Sequence, residues 1–142
     1  MRLMIDTNIF LDVLTRREPF FAPSKEVLEL CERKKVTGYL SASSVTDIFY
    51  LIRRQYHDGE LAYQALGSIL DIVRVLTVTN EDVLNAYLAR AADFEDCLLA
   101  TCAKSNHCDA IVTRNKKDFL TFGITLLSPE EVSALFPRED GE

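Results

Sequence analysis

The chain has 142 residues, enough for one ordinary domain and too few for two, and its 16 Lys plus Arg against 22 Asp plus Glu give a formal charge of −6. With 48% hydrophobic and 27% charged residues it is globular in composition rather than disordered or fibrous. The acidic balance excludes a protein that grips phosphate backbones by bulk charge, although not a nuclease that holds phosphate through metal ions.

The first apolar run, Arg2 to Ile5, predicts a short strand. It ends at Asp6, a carboxylate where a signal peptide needs an apolar stretch, so export is not expected. A helix is expected over Ile9 to Leu14, and Val27, Leu28 and Cys31 show helical spacing next. Val36 to Leu40 reads as a second strand. Val45, Ile48, Phe49, Ile52 and Tyr56 then form one stripe at i, i+3, i+4. Leu61, Ala65, Leu66, Ile69 and Val73 repeat it after Gly59, and Val83, Leu84, Tyr87 and Leu88 are expected to bury a further face. Val73 to Val78, Ala110 to Val112 and Ile124 to Leu127 complete five strands. A helix from Glu95 to Lys104 precedes the fourth, and Val132, Leu135 and Phe136 close the chain.

Brief apolar runs alternating with helices imply parallel pairing, right-handed crossovers and helices on both faces of the sheet. The expected fold is a three-layer α/β/α sandwich with a short, mainly parallel sheet of about five strands. One domain is expected over residues 1–137, with a polar tail over 138–142. No uncharged apolar run reaches the ~18 residues of a membrane span. Cys31, Cys97, Cys102 and Cys108 form no CxxC pair and, with two histidines, make a poor zinc set. They read as reduced thiols of a cytoplasmic protein.

In such sheets ligands bind where the carboxyl ends of the strands open. Asp6 falls there, directly after the first strand. Capping of the next helix would explain one polar residue, but Asp6, Thr7 and Asn8 are three, with Asp12 a turn further. Asp93, Glu95 and Asp96 exceed what one helix end needs, and Asp93 is the natural cap. Asp47 fits a capping box with Ser44 and shares a polar face with Arg54 two turns on. After the fourth strand, Asn115 and Asp118 supply oxygens beside Arg114, Lys116 and Lys117.

Two carboxylates ~4 Å apart repel by about 4 kcal/mol at an effective dielectric of ~20. Gathering several of them in one crevice requires an offset, and a hard divalent cation, Mg²⁺ or Mn²⁺, is the natural one. Neither histidine sits in a catalytic setting, so the leading chemistry is metal-dependent phosphodiester hydrolysis.

These motifs resemble the PIN domain. The resemblance rests on Met4-Ile5-Asp6-Thr7-Asn8-Ile9-Phe10-Leu11-Asp12, on Asp93-Phe94-Glu95-Asp96-Cys97-Leu98-Leu99-Ala100, and on Ile111-Val112-Thr113-Arg114-Asn115-Lys116-Lys117-Asp118-Phe119. A last strand, Gly123 to Leu127, and a Ser-Pro-Glu-Glu helix start complete it. The motifs keep the family's order and span Met4 to about Phe136. The resemblance implies a Mg²⁺- or Mn²⁺-dependent ribonuclease, most often the VapC-type toxin of a toxin–antitoxin pair, homodimeric and silenced by an antitoxin protein. It places Asp6 and Asp96 on the family's first and third acids and Asn8 on its accompanying polar residue.

Two positions depart from the pattern. The second acid is usually glutamate, where this chain has Asp47, and Asn115 stands where a fourth acid is usual, with Asp118 nearby. The resulting expectation has Asp6, Asp47 and Asp96 as metal ligands, with Asn115 or Asp118 completing the catalytic set. Thr7, Asn8, Asp93 and Thr113 would orient those ligands, and Arg114, Lys116, Lys117, Arg16 and Arg17 would meet RNA phosphates. The alternative is a degenerate PIN fold acting as a non-catalytic RNA- or protein-binding module. An aspartyl-nucleophile phosphatase would need Asp-x-Asp where this chain reads Asp6-Thr7-Asn8. Phe20, Phe21, Phe49, Tyr50 and Tyr63 exceed what one core obviously uses and are candidates for a dimer interface.

Overall fold

The computed structural model describes residues 1–139. Among them are five strands, β1 (Arg2–Ile5), β2 (Thr37–Ser41), β3 (Arg74–Leu76), β4 (Ala110–Val112) and β5 (Leu126–Leu127). All pair in parallel in the order β3-β2-β1-β4-β5. Six α-helices connect them, α1 (Thr7–Leu14), α2 (Phe21–Glu32), α3 (Val45–Tyr56), α4 (Gly59–Ile72), α5 (Asn80–Ala89) and α6 (Phe94–Ser105), and α7 (Pro129–Leu135) follows β5.

Period-2 alternation sends successive residues of the central strands to opposite faces. Leu3 and Ile5 of β1, Leu40 of β2 and Ala110 and Val112 of β4 meet Ile9, Phe10, Val27, Leu28, Ile48, Ile69 and Val132 from the helices of one layer. Met4, Tyr39 and Ile111 point the other way and pack against Leu99, Cys102 and Ala103 of α6 together with Phe119. The fold is thus the expected three-layer α/β/α sandwich. β1 lies in the middle, and the strand order reverses direction beside it, which opens a crevice at its carboxyl end.

Two helices turn differently from expectation. In α5 the buried residues are Asp82 and Ala86, while Val83, Leu84, Tyr87 and Leu88 are exposed. The reason is local: Thr79 and Asp82 form a reciprocal capping box that turns Asp82 inward, and the Cys97 thiol donates to the Ala86 carbonyl at 3.9 Å. In α4, Ala62 and Ile69 face the core and Leu61 does not.

Gly38 lets β2 and α2 approach closely, since a Cβ there would stand 2.6 Å from the Cys31 Sγ. The four cysteines are free. Arg138, the first residue of the expected tail, pairs with Glu29 at 3.0 Å, and residues 140–142 of that tail lie outside the described residues. No helix among the described residues is long and apolar enough to cross a membrane.

Candidate active site

At the carboxyl end of β1 a groove of about 500 Å³ is lined by Asp6, Asp47, Glu95, Asp96 and Asp118, with Thr7, Asn8, Tyr50 and Arg54 among its other walls. Four separate segments deliver these acids: the β1–α1 junction, the first turn of α3, the first turn of α6, and the short 3-10 turn Lys116–Phe119 after β4.

Asp6 occupies the N-cap position of α1, yet its carboxylate makes no capping hydrogen bond. It is buried, and its Oδ2 accepts from the Thr113 hydroxyl at 2.9 Å. The same hydroxyl oxygen accepts from the Asn115 backbone N–H at 3.0 Å, so Asp6, Thr113 and the following loop form one chain of hydrogen bonds. Burial raises the Asp6 pKa; Thr113, the Thr7 backbone and the Arg114 charge oppose that rise, and the Asp118 charge adds to it.

Asp96 is pushed up to about 6, first by desolvation and then by the charges of Asp93, Asp6, Asp118 and Glu95. Asp93 is the cap of α6 and accepts from the Asp96 N–H at 3.0 Å, so its carboxylate is engaged by the helix end. Asp47 does not cap α3, because Ser44 makes no side-chain capping bond and the expected box is not formed. The Asp47 carboxyl instead lies beside that of Glu95 in the groove. Desolvation raises the Glu95 pKa first, and Asp47 raises it further.

The residues beside β4 divide. Asp118 lines the groove, whereas Asn115 is not among the lining residues and engages Thr113 through its backbone. Arg114 donates from Nε and Nη2 to the two oxygens of Asp12 at 3.0 and 3.2 Å, and its guanidinium stands 4.0 Å from the Phe20 ring centroid. Asp12 is fully buried and also accepts from Ser24 at 3.2 Å, with Arg17 at 3.9 Å. Lys116 is bound to Glu131, Arg16 lies over the Phe21 ring, and Lys117 is exposed. Of the aromatic set, Phe49 touches Tyr50 and Tyr63 edge to face at 5.1 and 4.7 Å, while Phe20 supports Arg114.

With this geometry in view, a family model described as "PIN domain" matches residues 2–117. The chain belongs to the PIN-domain family. Several solved structures share its fold. One is VapBC from Salmonella typhimurium bound to DNA, at TM-score 0.69 and 19% identity over 91% of this chain and 98% of that one. Another is VapBC2 from Rickettsia felis bound to a promoter DNA fragment, at 0.68 and 17% over 90% and 98%. A third is VapC20 from Mycobacterium tuberculosis, described as a sarcin-ricin loop cleaving toxin, at 0.66 and 18% over 87% and 96%. No curated protein sequence matches the chain.

In this PIN domain two charged groove residues, Glu95 and Arg54, lie outside the expected metal-binding and RNA-binding set. Glu95 resembles an ordinary first-turn acid that complements the helix dipole. Its signal lies in the crowding of three acids into Asp93-Phe94-Glu95-Asp96. Arg54 is legible as the residue seven positions after Asp47 on a polar helix face, two turns away and therefore on the same side.

Proposed function

We propose that this PIN domain is a divalent-metal-dependent endoribonuclease acting as the toxin of a toxin–antitoxin pair. One observation carries the reading. Four segments remote in sequence bring five carboxylates to a single groove, where burial and mutual repulsion hold the Asp6, Glu95 and Asp96 carboxyls above their ordinary pKa. Helix capping does not account for the crowding, since the Asp6 and Asp47 side chains cap no helix.

No three Asp, Glu, His or Cys side chains among the described residues stand as a ready-made metal cage. The donor set is nevertheless all oxygen and mostly anionic, the chemistry that Mg²⁺ or Mn²⁺ requires. Asp6, Asp96 and Asp47 would hold the ion, with Asp118 beside them. The ion supplies charge neutralisation at a phosphate and a water of lowered pKa. Thr113 fixes the Asp6 carboxylate from behind, and the Arg114–Asp12 pair ties the loop after β4 to α1. Arg114 is thereby a positioning residue, and Lys117 remains the cation of that loop for the RNA backbone.

An antitoxin partner is supported by the solved relatives, several of which are toxin–antitoxin complexes. A homodimer is supported by the exposed Leu84, Tyr87 and Leu88 on α5. The test of catalysis is Asp6→Asn, which is expected to abolish Mg²⁺- or Mn²⁺-dependent cleavage of RNA while the circular dichroism spectrum is unchanged. Undiminished cleavage would remove Asp6 from the chemistry.

A second reading, a non-catalytic binding module, is favoured by Asn115, which stands where a fourth acid is usual and does not line the groove. Calorimetric titration with Mn²⁺ separates the two readings. Binding supports the enzyme, and no binding at millimolar metal supports the module.

A further inference from the structure

A ribonuclease whose groove is lined by carboxylates still has to attract a polyanion, and at physiological salt a charge reaches only about 8 Å. The cations that adjoin β4 are largely committed inside the fold, Arg114 to Asp12 and Lys116 to Glu131. Among the described residues, the one cation that lines the groove is Arg54 of α3. It stands seven residues beyond Asp47 on the same helix face, about 10 Å of helix rise away, with Tyr50 between them. Tyr50 and Arg54 also line an adjoining cavity of about 560 Å³, whose other walls are Arg53, His57 and Gly59.

The two cavities therefore share a wall that is acidic at the start of α3 and basic and aromatic at its end. The Arg53 guanidinium stands 4.9 Å from the Tyr50 ring centroid, and Tyr50 is 51% exposed. His57, held in the left-handed region at the end of α3, lines the same cavity. No ion pair among the described residues engages Arg53, Arg54 or His57. Cations in the last turn suit the negative end of a helix. That role needs neither an exposed tyrosine beside them nor an arginine lining the same groove as Asp47.

We propose that Tyr50, Arg53, Arg54 and His57 form a subsite for single-stranded RNA, continuous with the acidic groove. The arginines take the phosphate next to the scissile one, and Tyr50 stacks the adjoining base. Planar guanidinium forks match phosphate oxygens, and an exposed aromatic face accepts any base. The subsite rests on the ribonuclease reading of the groove, because its orientation has meaning only if the strand continues past Asp47 and Asp96.

The test uses fluorescence anisotropy of labelled oligouridine in EDTA, with Asp6→Asn as the non-cleaving background. The Arg53→Gln/Arg54→Gln pair is expected to weaken binding at least ~10-fold and to lower the slope of log affinity against log salt by about 0.7, the share of the one phosphate they hold. Arg54→Lys keeps the slope, Tyr50→Phe keeps affinity and Tyr50→Ala loses it. With Asp6 restored, the arginine pair raises KM more than it lowers kcat. These side chains lie at the surface, so equal melting temperatures certify the fold. If the arginine pair leaves affinity and slope unchanged while Asp6→Asn still abolishes cleavage, the subsite is wrong and the nuclease reading stands. The subsite is equally wrong if the pair loses only a protein partner. If the parent chain neither binds nor cleaves RNA, both readings fall together.

Discussion

Replacing Asp96 by asparagine should stabilise the metal-free protein, and only at neutral pH. The Asp96 carboxyl stands at about 6 against an ordinary 3.8, through desolvation and the surrounding acids. Below pH ~4 it is protonated in the folded and unfolded chains alike and costs nothing. Between ~4 and ~6 the unfolded chain releases the proton and the folded one retains it, so stability falls as pH rises, and above ~6 the full cost stands. Two pKa units correspond to about 3 kcal/mol at ~1.36 each. Asp96 is only partly buried, and solvent screening reduces that to on the order of 1 kcal/mol. For a chain of 142 residues this is a rise of about 3 °C in melting temperature. The assay is thermal unfolding of wild type and Asp96→Asn in EDTA at pH 4 and pH 7, repeated with Mn²⁺ at pH 7. The variant should melt higher at pH 7 and level with wild type at pH 4, and Mn²⁺ should stabilise wild type more than the variant. An equal difference at both pH values would refute the claim that the groove carboxylates repel one another.

Thr113→Val leaves the buried Asp6 Oδ2 without its donor. It should cost about 1–3 kcal/mol by urea unfolding and weaken Mn²⁺ binding ~10-fold or more, while Thr113→Ser behaves as wild type. Asp12→Ala strands the Arg114 guanidinium against Phe20 and should cost about 3–5 kcal/mol, much of it recovered when Arg114 is replaced by methionine as well. Gly38→Ala forces a methyl group against the Cys31 sulfur and the Ile5 Cδ1, 2.6 and 3.0 Å from the new carbon. A loss of about 1–3 kcal/mol is expected, relieved by Cys31→Ala in the same chain; a neutral Gly38→Ala would show that the sheet yields there at no cost.

The layers of this fold are legible because the central strands are buried on both sides and flanked by turn residues. β1 and β4 fall where the apolar runs Arg2 to Ile5 and Ala110 to Val112 place them. At the edge the reading weakens. Ile124 to Leu127 is apolar in all but one position, but β5 keeps only Leu126 and Leu127, the two residues opposite Ile111 and Val112. The face of α5 is not legible either. Val83, Leu84, Tyr87 and Leu88 have helical spacing, but spacing cannot reveal that a capping aspartate and a small alanine, four apart, claim the inside.

At the site, strand ends and helix starts bring Asp6, Asp47, Asp96 and Asp118 to one groove, as their positions in the alternating pattern suggest. The partners of the cations are hidden from sequence. Asp12 and Arg114 are 102 residues apart, and only the tertiary fold shows that they meet. Glu95 is hidden for a different reason, since helical position alone gives no sign of the Asp47 carboxyl coming from another helix.

The hydroxyl that steadies Asp6 lies 107 positions further along the polymer. A nascent polypeptide on the ribosome holds β1, β2 and the start of α3 long before it holds β4, and during that interval the centre of its sheet lacks one neighbour. The acidic groove is therefore complete only once residue 118 has emerged. Translation itself thus sets the order in which the site is assembled, with the buried partner of Asp6 arriving late.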